Sequence, residues 1–408
     1  MAVLRPFKAL RPAPAVAEKV AAVPYDVVNR EEAAELARGN PLSFLHVSRA
    51  EIDLAEDLDP YDPSVYARAA HRFGKLQADG HLIQDDRECL YVYKLRMGEH
   101  TQVGVAATYS VDEYDRDRIK KHEKTRKAKE DDRTNHILAL RAQTGPVFLT
   151  YPADSGIDAL IEATMASPPL YDLVAPDSVS HTVWRVPDTQ GLVERFAHLP
   201  CLYIADGHHR AASASRTRAR LRDRERAWKG DEPANYFLAV AFPSDQVQIL
   251  PYNRVVKDLA GRSPDEFLRA LSERLEVASG AAPAPARPGT VSMYLDGKWS
   301  SIDLRKALPD GGGPADRLDC AVLQKAVLEG LLRIGDIRTD SRVDFVGGIR
   351  GTDELVRLVD SGRWAVAFSM AATTLEQLMA ISDAGEIMPP KSTWFEPKLR
   401  DGLVSHIL

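Results

Sequence analysis

Five consecutive residues, Asp206-Gly207-His208-His209-Arg210, crowd an acid, a glycine, two histidines and an arginine together. The apolar run Leu202-Tyr203-Ile204-Ala205 precedes them and the small residues Ala211-Ala212-Ser213-Ala214 follow, the pattern of a buried strand turning into a helix. Such a turn presents backbone N–H groups and the positive end of a helix to an anion. Gly207 allows a sharp turn or a close backbone approach. Arg210 carries a planar fork that matches phosphate oxygens. The histidines can donate hydrogen bonds, carry a proton near neutral pH or bind metal, although adjacent side chains diverge and at most one is chemical. Asp206 also suits an N-cap. The composition is that of a phosphate-handling site.

Four other places carry chemistry-bearing types. Lys121-His122-Glu123-Lys124-Thr125 lies within a charge run from Ile119 to Arg133. Such runs are usually solvated helix faces, yet this one is mixed in sign. Its lysines can clamp a polyanion, and Glu123 can hold Mg²⁺ or take a proton. Asp26, in Pro24-Tyr25-Asp26-Val27-Val28, falls between an extended segment and a helix, where it either faces a pocket or bonds its own turn. Asn253 and Arg254 stand at a strand end and suit a substrate carboxylate, a phosphate or a turn cap. Lys391, Ser392 and Thr393 lie in a loop stiffened by Pro389-Pro390 and anchored by Trp394-Phe395, and suit phosphate.

The elements that must position these groups follow from periodicity. Strands are expected at Val3–Phe7, Phe44–Arg49, Leu90–Leu95, Val103–Val111 and Tyr236–Phe242, besides the one entering Asp206. Helices are expected from Arg30 to Arg38, Tyr61 to Asp79, Thr134 to Ala142 and Ala211 to Arg226. The class is α/β with a mixed sheet. Residues 1–277 read as a core with inserted segments around 51–200. Residues 278–289, rich in Ala and Pro, read as a linker, and 290–408 as a C-terminal α/β region that returns a site loop at 388–399. A net charge of −6 argues against non-specific nucleic-acid binding. Cys89, Cys201 and Cys320 form neither a metal pattern nor a disulfide framework. There is no Walker pattern, no apolar run of about eighteen residues and no signal-peptide pattern, so a cytoplasmic protein is expected.

Six collinear stretches resemble a prokaryotic family catalogued as domain-of-unknown-function family 1015. They are Arg5-Pro6-Phe7-Lys8-Ala9-Leu10-Arg11-Pro12, Pro24-Tyr25-Asp26-Val27-Val28, Lys121-His122-Glu123-Lys124-Thr125, Asp206-Gly207-His208-His209-Arg210, Phe345-Val346-Gly347-Gly348-Ile349-Arg350-Gly351 and the tail from Met388 to Leu399. Val23 and Ser178 depart from its usual proline and glycine. The resemblance implies a ParB/sulfiredoxin-like core with large insertions and kinship with free-serine kinases. The implied reaction moves a phosphoryl group from pyrophosphate, or as second choice ATP or ADP, to the hydroxyl of free L-serine with Mg²⁺, giving O-phospho-L-serine. It assigns the donor phosphates to the turn of Asp206, Gly207, His208 and Arg210, and by residue type Lys121, His122, Lys124, Thr125, Lys391, Ser392 and Thr393 are expected beside them. Asn253 and Arg254 would hold substrate, and Glu123 and Asp206 the metal. The general base would be Asp26, with Glu123 as second choice and His209 also in the catalytic group. The rival from another class is a non-catalytic ParB-like nucleotide-binding switch or DNA-associated regulator, against which the acidic charge and the lack of a helix-turn-helix count.

Overall fold

The computed structural model describes residues 2–224 and 227–408. Two compact units emerge, one built from the chain up to Val247 together with Pro397–Leu408, the other from Gln248–Glu396. The division expected at 277/278 is therefore displaced. The first strand after Gln248 that enters a large sheet, Tyr252–Val256, belongs inside the second unit's sheet, and the chain's last segment returns to the first unit. Residues 278–289 end one strand and lead to the next in the same sheet rather than joining two units. Alanine and proline produce the same composition in a long surface loop as in a linker.

Among the described residues the first unit holds a nine-stranded mixed sheet. Its strands are β1 (Leu4–Arg5), β2 (Tyr91–Met97), β3 (His100–Ser110), β4 (Ile119–Lys120), β5 (Val147–Tyr151), β6 (Tyr171–Val174), β7 (Ser180–Arg185), β8 (Leu202–Asp206) and β9 (Tyr236–Pro243). The order is β4-β8-β5-β9-β3-β2-β7-β6, with β1 on β3. β8 runs parallel to β4 and antiparallel to β5, which runs parallel to β9. Residues 51–200, expected as insertions, thus supply much of the sheet itself. The β2–β3 hairpin adds its strands by backbone pairing and closes at Met97 and His100. Tyr109, Leu149, Ile204 and Phe237 are fully buried in its main apolar cluster.

Four helices frame the site: α1 (Arg30–Ala37), α2 (Pro63–Ala78), α3 (Lys127–Leu140) and α4 (His208–Arg224). Glu225 and Arg226, the expected end of α4, lie outside the described residues. α3 packs against both α2 and α4. It starts well before Thr134 because its first turns are held by charge rather than apolar contact. Lys127 pairs with Asp131 at 2.6 Å, and Glu130 with Arg216 at 2.9 Å. Lys121–Arg126 is therefore a loop ahead of the helix and not part of a charged helix face. Phe44–Arg49, expected as a strand, is instead a helical turn at Leu45–Ser48. Phe44, Leu45 and Val47 pack with Val65, Ala69 and Phe73 in a helical layer, and packing overrides β propensity there.

The second unit is a six-stranded antiparallel sheet of β10 (Tyr252–Val256), β11 (Glu276–Ser279), β12 (Thr290–Leu295), β13 (Lys298–Asp303), β14 (Val343–Gly347) and β15 (Val366–Met370). Its order is β11-β13-β12-β15-β10-β14. Among the described residues no helix is long and apolar enough to cross a membrane.

Buried histidines set an acid limit on the first unit. Burial holds His122, His136 and His406 down to about 4 and His181 to about 3, from an ordinary 6.5. His136 and His406 donate Nε2–H to the Val47 and Pro233 carbonyls at 2.9 and 3.0 Å. His181 accepts from Arg400 Nε at 3.0 Å. Folding keeps these rings neutral, so the unfolded chain binds more protons between pH 6.5 and 4. Their contribution is complete above pH 6.5 and is lost as pH falls toward 4. The urea midpoint should be clearly lower at pH 5 than at pH 7.5, and an unchanged midpoint would contradict the assignment.

Candidate functional site

The site begins where β8 ends. The β8–β5 register shifts between Ile204 and Asp206, a bulge that re-aims the Asp206 side chain. Gly207 follows at φ +96°, a conformation that L side chains rarely adopt, and a Cβ there would lie 3.4 Å from the Val147 Cα. α4 then starts at His208, and the Gly207 carbonyl accepts from the Arg210 and Ala211 N–H groups.

Asp206 has both carboxylate oxygens engaged. Oδ1 accepts the Gly207 N–H and Oδ2 accepts Lys398 Nζ, each at 2.8 Å. Burial alone would push this acid up, but Lys398, Arg210 and His208 together hold it well below the usual carboxylate range. Lys398 comes from the returning C-terminal segment.

Arg210 points into the first unit and is almost wholly buried. Its Nη2 donates to Asp26 Oδ1 at 2.7 Å and its Nη1 to the Pro146 carbonyl at 2.8 Å. Nearby charge raises its pKa although burial alone would lower it, with Asp26 the largest of the raising groups. Asp26 sits in the turn ahead of α1. That turn is pinned on one side by the backbone bridge between Ala22 and Asp401. On the other side lies a capping box, in which Asn29 Oδ1 accepts Glu32 N–H at 2.8 Å and Glu32 accepts Asn29 N–H at 2.9 Å. The Asp26 side chain remains 37% exposed. Tyr25 lies between two guanidiniums, with Arg133 4.1 Å and Arg210 5.5 Å from its ring centroid.

The histidines occupy a different wall. His208 and His122 are buried edge to face at 4.4 Å between centroids, and the His122 N–H points at His208 Nε2 at 3.4 Å. His208 Nδ1 is 3.7 Å from Glu123 Oε2, so the ring proton faces that carboxylate. Burial keeps His208 well below its ordinary pKa, with His122 adding to the effect. His209 accepts the Arg126 N–H on Nε2 at 3.0 Å.

The structure thus gathers Asp26, Glu123, Asp206, Gly207, His208, Arg210 and His122 around the start of α4, with His209 beside them. Lys121 and Thr125 are satisfied locally. Lys121 Nζ donates to the Tyr114 carbonyl at 2.8 Å, and the Thr125 hydroxyl donates to Glu130. Lys124 is exposed. Asn253, Arg254, Lys391, Ser392 and Thr393 belong to the second unit. Asn253 is buried and accepts the Met370 N–H at 2.9 Å, a strand-to-strand tie. Arg254 donates to the Lys391 carbonyl at 3.1 Å. Ser392 donates to the Pro389 carbonyl at 2.6 Å, and half-buried Thr393 follows it. Lys398, Arg133 and Asp401 escaped sequence reasoning. Lys398 stood within the dense tail motif, the one available signal, whereas Arg133 looked like the end of a charge run and Asp401 lies outside every motif.

Among the described residues no group of three His, Cys, Asp or Glu side chains could hold a metal ion. With both Asp206 oxygens engaged, the expected Asp206–Glu123 metal pair is reduced to Glu123, whose carboxylate is exposed.

The profile of the family described as "Protein of unknown function (DUF1015)" matches residues 4–322. No curated protein matches the chain. Among solved structures, a free serine kinase variant in complex with AMP is similar at 15% identity and a TM-score of 0.36, over 74% of this chain and 92% of that one. A conserved hypothetical protein from Pyrococcus furiosus is similar at 15% identity and 0.35, over 74% and 95%. SbnI with a C-terminal truncation, from Staphylococcus aureus, is similar at 13% identity and 0.38, over 74% and 87%.

Proposed function

The chain belongs to the DUF1015 family, and we propose that it is a small-molecule kinase moving a phosphoryl group from pyrophosphate, with ATP or ADP as second choice of donor, to the hydroxyl of free L-serine. One observation carries the reading. Arg210, in the first turn of α4, holds the Asp26 carboxylate at 2.7 Å, which joins a partly exposed base to an anion-binding helix start. Asp26 accepts the serine hydroxyl proton as the oxygen bonds to phosphorus. The bridging P–O bond of the donor breaks, and phosphate leaves.

Phosphoryl transfer asks mainly for positioning and charge neutralisation. The N–H groups at the start of α4, with Lys398 beside Asp206 and exposed Lys124, supply positive potential. Mg²⁺ enters as the donor's counter-ion, in keeping with its preference for one or two carboxylates plus phosphates and water, and Glu123 would meet it.

The test is to incubate the full chain with L-serine, Mg²⁺ and each donor and to measure phosphoserine. Formation with pyrophosphate is expected. Phosphate release that needs no serine would make the protein a pyrophosphate hydrolase. No turnover with any donor, together with salt-dependent DNA binding, would favour the regulator.

A further inference from the structure

Asp401 is 1% exposed, and its Oδ1 has no hydrogen-bond partner. The Nε–H of Arg210 is likewise buried without one. Both residues line the same cavity, with Tyr25, Arg133, Gln143 and Gly145 on its walls. An orphaned carboxylate oxygen and an orphaned guanidinium N–H are each costly to bury, and native proteins rarely leave either without a reason. Asp401 is fixed at its backbone and Arg210 at its guanidinium. The Asp401 backbone is tied to Ala22 by hydrogen bonds of 2.9 and 3.1 Å, and the other two Arg210 nitrogens are held by Asp26 and Pro146.

Gly145 keeps the space between them open. A Cβ there would lie 3.0 Å from Asp401 Oδ1 and 3.7 Å from Arg210 Cδ, the atom bonded to Nε. The cavity therefore presents a negative acceptor and a positive donor on either side of a gap held by a missing side chain. A free α-amino acid carries the complement, an ammonium and a carboxylate on one carbon.

We propose that this cavity seats the acceptor amino acid, with its α-ammonium on Asp401 and its α-carboxylate on the Arg210 Nε–H. Identifying the occupant as the acceptor rests on the kinase reading above, whereas binding of the amino acid does not. Arg210 is then a shared wall, gripping Asp26 through Nη2 and the acceptor through Nε, so the hydroxymethyl group is delivered on the Asp26 side. The electrostatics agree. Burial pushes the Asp401 carboxyl up to about 7, and Asp26 adds to this while Arg210 and Arg133 oppose it. An ammonium partner would favour the ionised form.

The experiment is calorimetric binding of L-serine and of D-glycerate, which keeps the carboxylate and hydroxymethyl group but replaces the ammonium with a hydroxyl. The full chain should bind serine at least tenfold more tightly than glycerate. Asp401→Asn should weaken serine binding tenfold or more while leaving glycerate and pyrophosphate binding unchanged. Gly145→Ala, whose backbone demands nothing unusual, should weaken both acceptors and serves if Asp401→Asn fails to fold. Unchanged serine binding in either variant overturns the proposal, as does failure of the wild type to distinguish serine from glycerate. Serine binding that depends on Asp401 without phosphoserine formation would overturn the kinase reading and uphold this one. Phosphoserine formation with an unchanged serine KM in Asp401→Asn would do the reverse.

Discussion

Asp26→Asn should lower kcat by about a hundredfold or more, with the donor KM little changed, because asparagine keeps the shape of the carboxylate but cannot take the hydroxyl proton. The structure makes this substitution informative. Asp26 is partly exposed and anchored by a capping box and a backbone bridge that the change leaves alone. The fold should survive, and the neutral amide still accepts from Arg210 Nη2. Steady-state kinetics with both substrates varied would separate the two parameters. A near-normal kcat would make Asp26 a tether for Arg210 and pass the role of base to Glu123.

Arg210→Ala should do more, because one guanidinium serves several partners. Its loss frees the Asp26 carboxylate, leaves the Pro146 carbonyl unpaired and removes positive charge from beside buried Asp401. Breaking a wholly buried charge pair costs about 3–5 kcal/mol, and the loss here should be smaller because Asp26 is partly exposed and can turn toward water. Denaturant unfolding should show that loss, and kcat should fall at least as far as in Asp26→Asn. A double-mutant cycle separates positioning from donor binding. If Arg210 acts through Asp26, the double variant is no slower than the worse single one. If it grips the donor independently, the two effects multiply. Arg210→Lys keeps the charge but not the fork and should recover stability better than rate.

The centre of the site was legible because its signals are local. An apolar run, an acid, a glycine and two histidines dictate a strand, a left-handed turn and a helix start, and Gly207 occupies the position that needs positive φ. Asp26 was legible as a residue between an extended segment and a helix, but its partner was not. Arg210 lies far from it along the chain, and only the sheet brings them together. Phe44–Arg49 was misread because a short apolar run fits a strand as well as a buried helical turn, and only the helical layer around Phe73 decides. Arg133 looked like one more charge in a solvated run until packing turned it over the Tyr25 ring. Asp401 had no local signal, since its meaning comes from Arg210 and from the side chain that Gly145 lacks.

The return of Pro397–Leu408 to the first unit bears on how the protein is made. At synthesis rates of about 5–20 residues per second, the ribosome spends roughly seven to thirty seconds on Gln248–Glu396 before Lys398 and Asp401 emerge. Through that interval the nascent sheet has its strands, but Asp206 lacks its ammonium partner and Ala22 lacks its backbone bridge. A chain stopped at Glu396 would lack buried Leu399, Leu403 and Val404 and would never complete its centre. Such a fragment should be less stable than the whole chain, and this centre forms only once Pro397–Leu408 has been made.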